Sequence, residues 1–108
     1  MATGFDLHSA NGVLTISIHR DFDTGSLHQD WSSAIIQQAT GVYTSVKVDL
    51  SRTGLLSSTF FAGLVRLHQH FSRAGAAQVI LHHPDNRTVR NLSILRLNNL
   101  FSITARPA

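Results

Sequence analysis

Three consecutive hydroxyl side chains, Ser57, Ser58 and Thr59, are the first feature of this sequence that suggests chemistry. They precede a stretch, residues 60–71, whose apolar residues recur every three or four positions, as on one face of an α-helix. The start of a helix presents backbone N–H groups and the positive end of the helix dipole, and both favour a phosphate. A hydroxyl there is therefore an N-cap worth ~1 kcal/mol, a phosphate acceptor that switches binding by its charge, or both.

Two adjacent aromatic residues, Phe60 and Phe61, follow the hydroxyl cluster. Neighbours on a helix point about 100° apart, so the two rings share one buried face only in part. One ring exposed beside a helix N-terminus would be an anchor for a protein partner. Burial of both rings in the core is the alternative, and the sequence leaves both open.

The seven histidines raise the question of a metal site. His68 and His70 are two positions apart, a spacing that diverges on a helix, and His82 and His83 should point to opposite sides of an extended segment. The sequence contains no HExxH motif and no cysteine. We expect surface histidines, with no metal and no other cofactor.

Enzyme signatures are also missing from the sequence. It contains no GxSxG elbow, no phosphate-binding P-loop and no GxGxxG fingerprint. We therefore expect a protein that is not an enzyme.

Charge and hydropathy exclude further classes of function. The chain of 108 residues has a net charge of +3, yet its nine lysines and arginines form no run or stripe. Nucleic-acid binding usually requires clustered cations, so we expect none here. No apolar run approaches the ~20 residues of a membrane span, and the N-terminus lacks the pattern of a signal peptide. Together with the absence of cysteine, these features predict a cytoplasmic protein without membrane insertion.

The first half of the chain predicts a β-hairpin and then a helix. Residues 5–8 alternate apolar and polar, Asn11-Gly12 is the preferred pair for a two-residue turn, and residues 13–18 return as a second strand. After a polar loop, Ser26 is the expected N-cap of a first helix that ends near Gly41.

The second half alternates strands and helices. Residues 46–50 and 77–81 are β-branched or apolar runs typical of buried strands, separated by the helix that ends near Gly75. Asp85 or Asn86 is expected to cap a third helix, and residues 100–103 to form a short edge strand.

The predicted order is therefore β-β-α-β-α-β-α-β, an α/β fold. Strand-helix-strand units imply a mixed, mainly parallel sheet of about four to five strands, with the hairpin at one edge and three to four helices. Short linkers and the absence of repeats predict a single domain over residues 1–108, with its core at about 5–103.

Several segments together resemble the STAS domain, the family of anti-sigma factor antagonists and related regulatory modules. They cover most of the chain, from about residue 7 to 103. They are the sequence VDLS at 48–51, the hydroxyl cluster at 57–59, LVRLH at 64–68, the glycine-linked strand at 75–81, Leu92 and LNNLFSI at 97–103.

The antagonists share the motif Asp-Ser-Ser/Thr-Gly, whose first hydroxyl residue is phosphorylated by the partner anti-sigma kinase. By resemblance, Ser58 takes that acceptor position and Thr59 follows it, whereas Ser57 replaces the aspartate and Phe60 the glycine. Asp23 best matches a further acidic residue of the family in the loop before the first helix.

The resemblance implies a bacterial regulatory module that acts in signal transduction and transcription regulation. It would bind an anti-sigma factor and serine kinase with a GHKL-type ATPase fold. The expected partner-binding residues are Asp23, Ser57, Ser58, Thr59, Phe60 and Phe61, with Ser58 as phosphoacceptor and Ser57 or Thr59 as alternatives.

An alternative within the same family is a STAS subunit that is not phosphorylated. Such a subunit would dock constitutively on the ATPase of a transporter or of another multiprotein assembly. In either case we expect a monomer or a weak dimer.

Overall fold

The computed structural model describes residues 5–18, 31–39, 41, 43–53, 58–73 and 79–104, with the backbone alone at Trp31, Ser58 and Thr59. Three sequence predictions lie outside this described part: the helix cap at Ser26 and the partner-binding roles of Asp23 and Ser57.

The described residues form an α/β domain with five strands and three helices. In chain order they are β1 (Phe5–Ala10), β2 (Val13–Ile18), α1 (Trp31–Gln38), β3 (Ser45–Asp49), α2 (Ser58–Arg73), β4 (Val79–His82), α3 (Asn86–Ile94) and β5 (Ser102–Thr104). The predicted element order and fold class are confirmed.

The N-terminal hairpin is built as its turn sequence predicts. Asn11 has φ 54° and Gly12 has φ 81°, the two positive values that a type I′ turn requires. Ala10 and Val13 face each other at the turn, and the register runs without interruption to the pair Phe5 and Ile18. β1 and β2 are therefore antiparallel.

The remaining strands are parallel, and the sheet order is β1-β2-β3-β4-β5. Each crossover moves one strand further in the same direction, and right-handed crossovers of this kind carry their helices on one face of the sheet. Val46 and Val48 of β3 point to that face and are completely buried. Lys47 and Asp49 alternate with them on the opposite face and are half-exposed.

Helix α2 covers the core with the apolar face that its spacing predicts. Phe60, Leu64, Leu67 and Phe71 are all buried. Its last turn carries His70 and Arg73, whose cationic forms suit the negative end of the helix dipole. Within the described residues, no helix is long and apolar enough to span a membrane.

Helix α3 has well-defined ends. Asp85 is its N-cap and accepts a hydrogen bond from the backbone N–H of Arg87, which confirms one of the two predicted caps. At the other end the N–H of Leu97 donates to the carbonyl of Leu92 at 2.8 Å. Arg96 lies between them with φ 60°, the left-handed conformation that usually selects glycine after a helix.

Candidate functional site

The connection from β3 to α2 begins with a turn that its own polar groups hold in place. The N–H of Ser51 donates to Oδ1 of Asp49 at 3.0 Å. The N–H and the hydroxyl of Thr53 both donate to the carbonyl of Leu50, at 3.1 Å and 2.8 Å. Because Thr53 is buried and the N–H of Leu50 donates to the carbonyl of His82, this first part of the connection is anchored to β4.

Asp49 is the negatively charged group of this turn. Burial raises the pKa of its carboxyl, but hydrogen bonds from Ser51 and the nearby His82 and Lys47 lower it, and the net pKa lies below the ordinary value. The carboxylate is thus held in its ionised form at the end of β3.

The predicted phosphoacceptor lies at the start of α2. Ser58 is the first residue of this 16-residue helix and Thr59 is the second. The first turn contains no acidic residue. A phosphate at this end of the helix would therefore meet the positive end of the dipole without an acidic neighbour in that turn.

Phe60 and Phe61 both belong to the core. Their exposed fractions are 0% and 3%. Of the two possibilities that the sequence leaves open, the structure has the buried one, because the core-facing side of α2 is broad enough to take both rings. Neither ring is a surface anchor for a partner in this structure.

His82 and His83 do not point to opposite sides of the chain, and that prediction is wrong. Their rings stack with centroids 3.7 Å apart and an interplanar angle of 19°. The reason is the backbone of His83, whose φ of 54° turns the chain out of the extended conformation. In the described part of the chain, no group of three or more His, Cys, Asp or Glu side chains is arranged to hold a metal ion.

A polar row crosses the face of the sheet opposite the buried valines of β3, at the end where β3 and β4 finish. The register places Asp6 beside Ser17, Ser17 beside Asp49, Asp49 beside His82, and His82 beside Thr104. Burial, followed by the charges of Lys47 and His83, lowers the pKa of His82, and Asp49 opposes this change. Sequence reasoning missed this row because only strand register brings its members together.

A second feature lies on the outer side of α2, where it meets α1. Ile36, Arg66, Gln69, His70 and Arg73 line an open groove of about 410 Å³, and Nη1 of Arg66 lies 3.4 Å from Oγ of Ser32. Arg66 is eight residues after the start of α2, so at 1.5 Å per residue the groove lies at least about 12 Å along the helix from Ser58.

Comparison with known proteins adds no assignment to this geometry: no family model and no curated protein matches the chain. An α/β fold with an N-terminal hairpin and a mixed sheet is consistent with a STAS domain and does not identify one.

Proposed function

We propose that this chain is a regulatory protein-interaction module of the STAS type, resembling an anti-sigma factor antagonist. It binds an anti-sigma factor and serine kinase of the GHKL-type ATPase class through the loop before α2 and the first turn of that helix. The observation that carries the proposal is the position of Ser58, the first residue of a long helix that follows a central parallel strand.

The end of α3 supports the same family. Arg96 stands where STAS domains have a glycine in the loop after the third helix, and its φ is 60°. A non-glycine residue is uncommon in this conformation, whereas glycine adopts it without strain. The backbone at Arg96 thus has the conformation that a glycine at this position would adopt.

The switch acts through charge. Phosphorylation of Ser58 adds about two negative charges, and the amino end of α2 stabilises them through its dipole and its backbone N–H groups. The partner surface, which fits the neutral hydroxyl, then has to desolvate or repel that charge. Phosphorylation therefore releases the partner.

The contact surface excludes the two aromatic rings, since both are in the core. Ala62 is exposed one turn after Ser58, and residues four apart on a helix share a face. The partner therefore lies over the start of α2, at Ser58 and Ala62, and also contacts Ser57, which precedes the helix in the sequence. Asp23 contributes to the surface by resemblance to the family.

The experiment is affinity capture from the native host with the full chain as bait. Captured proteins are identified by mass spectrometry, and the bait is mapped for phosphate after incubation with ATP. Capture of a GHKL-type kinase and phosphate on Ser58 are expected. The variant Ser58→Asp should weaken binding of that purified kinase at least about tenfold, equivalent to ~1.4 kcal/mol.

The matched control is Ser72→Asp, which adds the same charge to an exposed serine at the opposite end of α2. It should leave kinase binding unchanged. Equal binding by wild type and Ser58→Asp, or no phosphate at Ser57, Ser58 or Thr59, would refute the switch.

The alternative is a STAS subunit that docks constitutively on a transporter ATPase. The burial of Phe60 favours it, because the motif glycine is replaced by a core ring, and Ser57 replaces the motif aspartate. Capture of a transporter ATPase instead of a kinase, with no phosphate on the bait, would decide for this function.

A further inference from the structure

Strand β1 forms one edge of the sheet. Among the described strands it has β2 as a neighbour on one side only. It is six residues long, pairs with β2 without a bulge, and contains neither lysine nor proline. Proteins usually protect edge strands by shortness, bulges, lysine or proline, and β5, at the other edge, has only three residues. β1 thus has the features of an edge that accepts another strand.

The hairpin turn determines which backbone groups of β1 point outward. In a hairpin with a two-residue loop, the residues that flank the loop, here Ala10 and Val13, exchange their hydrogen bonds. Because inward and outward groups alternate along an antiparallel strand, Asp6 and His8 direct their backbone groups toward β2. The backbone N–H and C=O of Leu7 and Ser9 therefore point to the outer edge.

The side chains of β1 are self-complementary about Leu7. If two β1 strands run antiparallel with Leu7 opposite Leu7, Asp6 of one copy faces the partner's His8, and His8 faces the partner's Asp6. These are non-hydrogen-bonded positions, where cross-strand side chains lie closest together, so the Asp6 carboxylate of each copy accepts a hydrogen bond from the imidazole N–H of the partner's His8. Asp6 and His8 are both exposed on the same face of the sheet.

Leu7 itself adds an apolar contact at the centre of this pairing. It packs against the core but is only half-buried, and the partner's Leu7 would cover its exposed part. A contact that uses the same residues on both copies closes on itself as a two-fold dimer.

We propose that β1 pairs antiparallel with β1 of a second copy, centred on Leu7, and so forms a two-fold dimer with one continuous sheet. This inference does not depend on the proposed function. β3 lies two strands away from β1, so the pairing involves no residue of the β3–α2 connection.

The first test measures oligomeric state by sedimentation equilibrium as a function of protein concentration. Wild type should show a monomer–dimer equilibrium. His8→Asp places two carboxylates opposite each other and should raise the dimer dissociation constant at least about tenfold. The double variant Asp6→His with His8→Asp exchanges the two residues, so each carboxylate again faces an imidazole, and it should restore dimerisation. Ser102→Asp, which adds the same charge at the other edge of the sheet, is the matched control and should have no effect.

The second test determines the register by disulfide formation, since the chain has no native cysteine. In the proposed register the Cα atoms of the two residues at position 7 are about 5.5 Å apart, within the range for a disulfide. Leu7→Cys should therefore cross-link two chains on mild oxidation. The residues at position 9 of the two chains are separated by about 13 Å along the strands, so Ser9→Cys should not cross-link.

Three results would overturn the dimer. They are a wild-type mass that stays monomeric at high concentration, a dissociation constant that His8→Asp leaves unchanged, and faster cross-linking of Ser9→Cys than of Leu7→Cys. Circular dichroism of each variant confirms that the fold is retained, and the double variant that exchanges Asp6 and His8 tests the pairing even if one single variant is unstable.

Discussion

The β3–α2 and β4–α3 connections leave the sheet at the same end of its parallel strands. They begin with the same local contact and end differently. β3 and β4 are neighbouring parallel strands, and each leads into an aspartate that accepts a hydrogen bond from the N–H two residues later. Asp49 accepts from Ser51 at 3.0 Å, and Asp85 accepts from Arg87 at 2.8 Å. Asp85 is the N-cap of α3, which begins at the next residue. Asp49 instead makes a separate turn, and α2 begins only at Ser58.

The two connections differ in where the aspartate carboxylate lies relative to the following helix. At α3 the carboxylate of Asp85 lies at the helix N-terminus, where it interacts favourably with the positive end of the helix dipole. Nε of Arg87 lies 3.1 Å from its Oδ1. In the α2 connection the carboxylate of Asp49 instead accepts a hydrogen bond in the turn after β3. The first turn of α2 contains no acidic residue. The start of α3 therefore has an anion at its N-cap, whereas the sequence of α2 begins with the hydroxyl residues Ser58 and Thr59. This contrast makes the start of α2 the better candidate for a regulated contact.

The largest effect is expected at the third residue of each helix, Phe60 in α2 and Thr88 in α3, both fully buried. Phe60→Ala removes an aromatic ring from the core and should lower the free energy of unfolding by about 3–5 kcal/mol. Thr88→Ala removes a much smaller side chain and should cost less. Urea denaturation of both variants measures the difference. Equal losses would mean that Phe60 packs no more tightly than Thr88.

A smaller effect is expected when the cap of α3 is removed. Asp85→Ala deletes the acceptor for the N–H of Arg87 and should cost ~1 kcal/mol of stability. Asp85→Asn keeps an acceptor that is equally good at an N-cap, so it should be nearly neutral. Thermal and urea unfolding report both values. A loss for Asp85→Asn as large as for Asp85→Ala would show that the carboxylate charge, not the cap, stabilises this end.

Local patterns predict the parts of the fold that local interactions determine. Asn11-Gly12 specifies its turn because both residues tolerate positive φ, and Asp85 specifies a helix start because its side chain reaches the next N–H groups. The element order follows from apolar periodicity. For the candidate site, the sequence predicts only that α2 begins at a hydroxyl residue, as it does at Ser58.

Features that depend on neighbouring elements could not be predicted in the same way. The burial of both Phe60 and Phe61 depends on how far the core extends around the start of α2. The stacking of His82 on His83 depends on the left-handed backbone conformation of His83, which the sequence does not signal because the residue is not a glycine. The groove at Arg66 and Arg73 exists only because α1 packs beside α2.

The smallest expected effect concerns the response of the β3–β4 pair to acid. Asp49 and His82 are register partners. The pKa of His82 is lowered, first by burial and then by Lys47 and His83, so the unfolded chain binds this proton more readily. The free energy of unfolding should therefore begin to fall as the pH drops below the ordinary histidine value of 6.5.

Asp49 adds a second stage at lower pH. Burial raises the pKa of its carboxyl, but the hydrogen bonds from Ser51 and the charges of His82 and Lys47 together outweigh burial and hold the pKa below the ordinary 3.8. Its stabilising contribution is present above that value and is lost as the pH falls through the folded pKa. Urea titrations at a series of pH values should show His82→Gln lacking the first stage and Asp49→Asn lacking the second. Retention of both stages in both variants would place the acid response outside this pair.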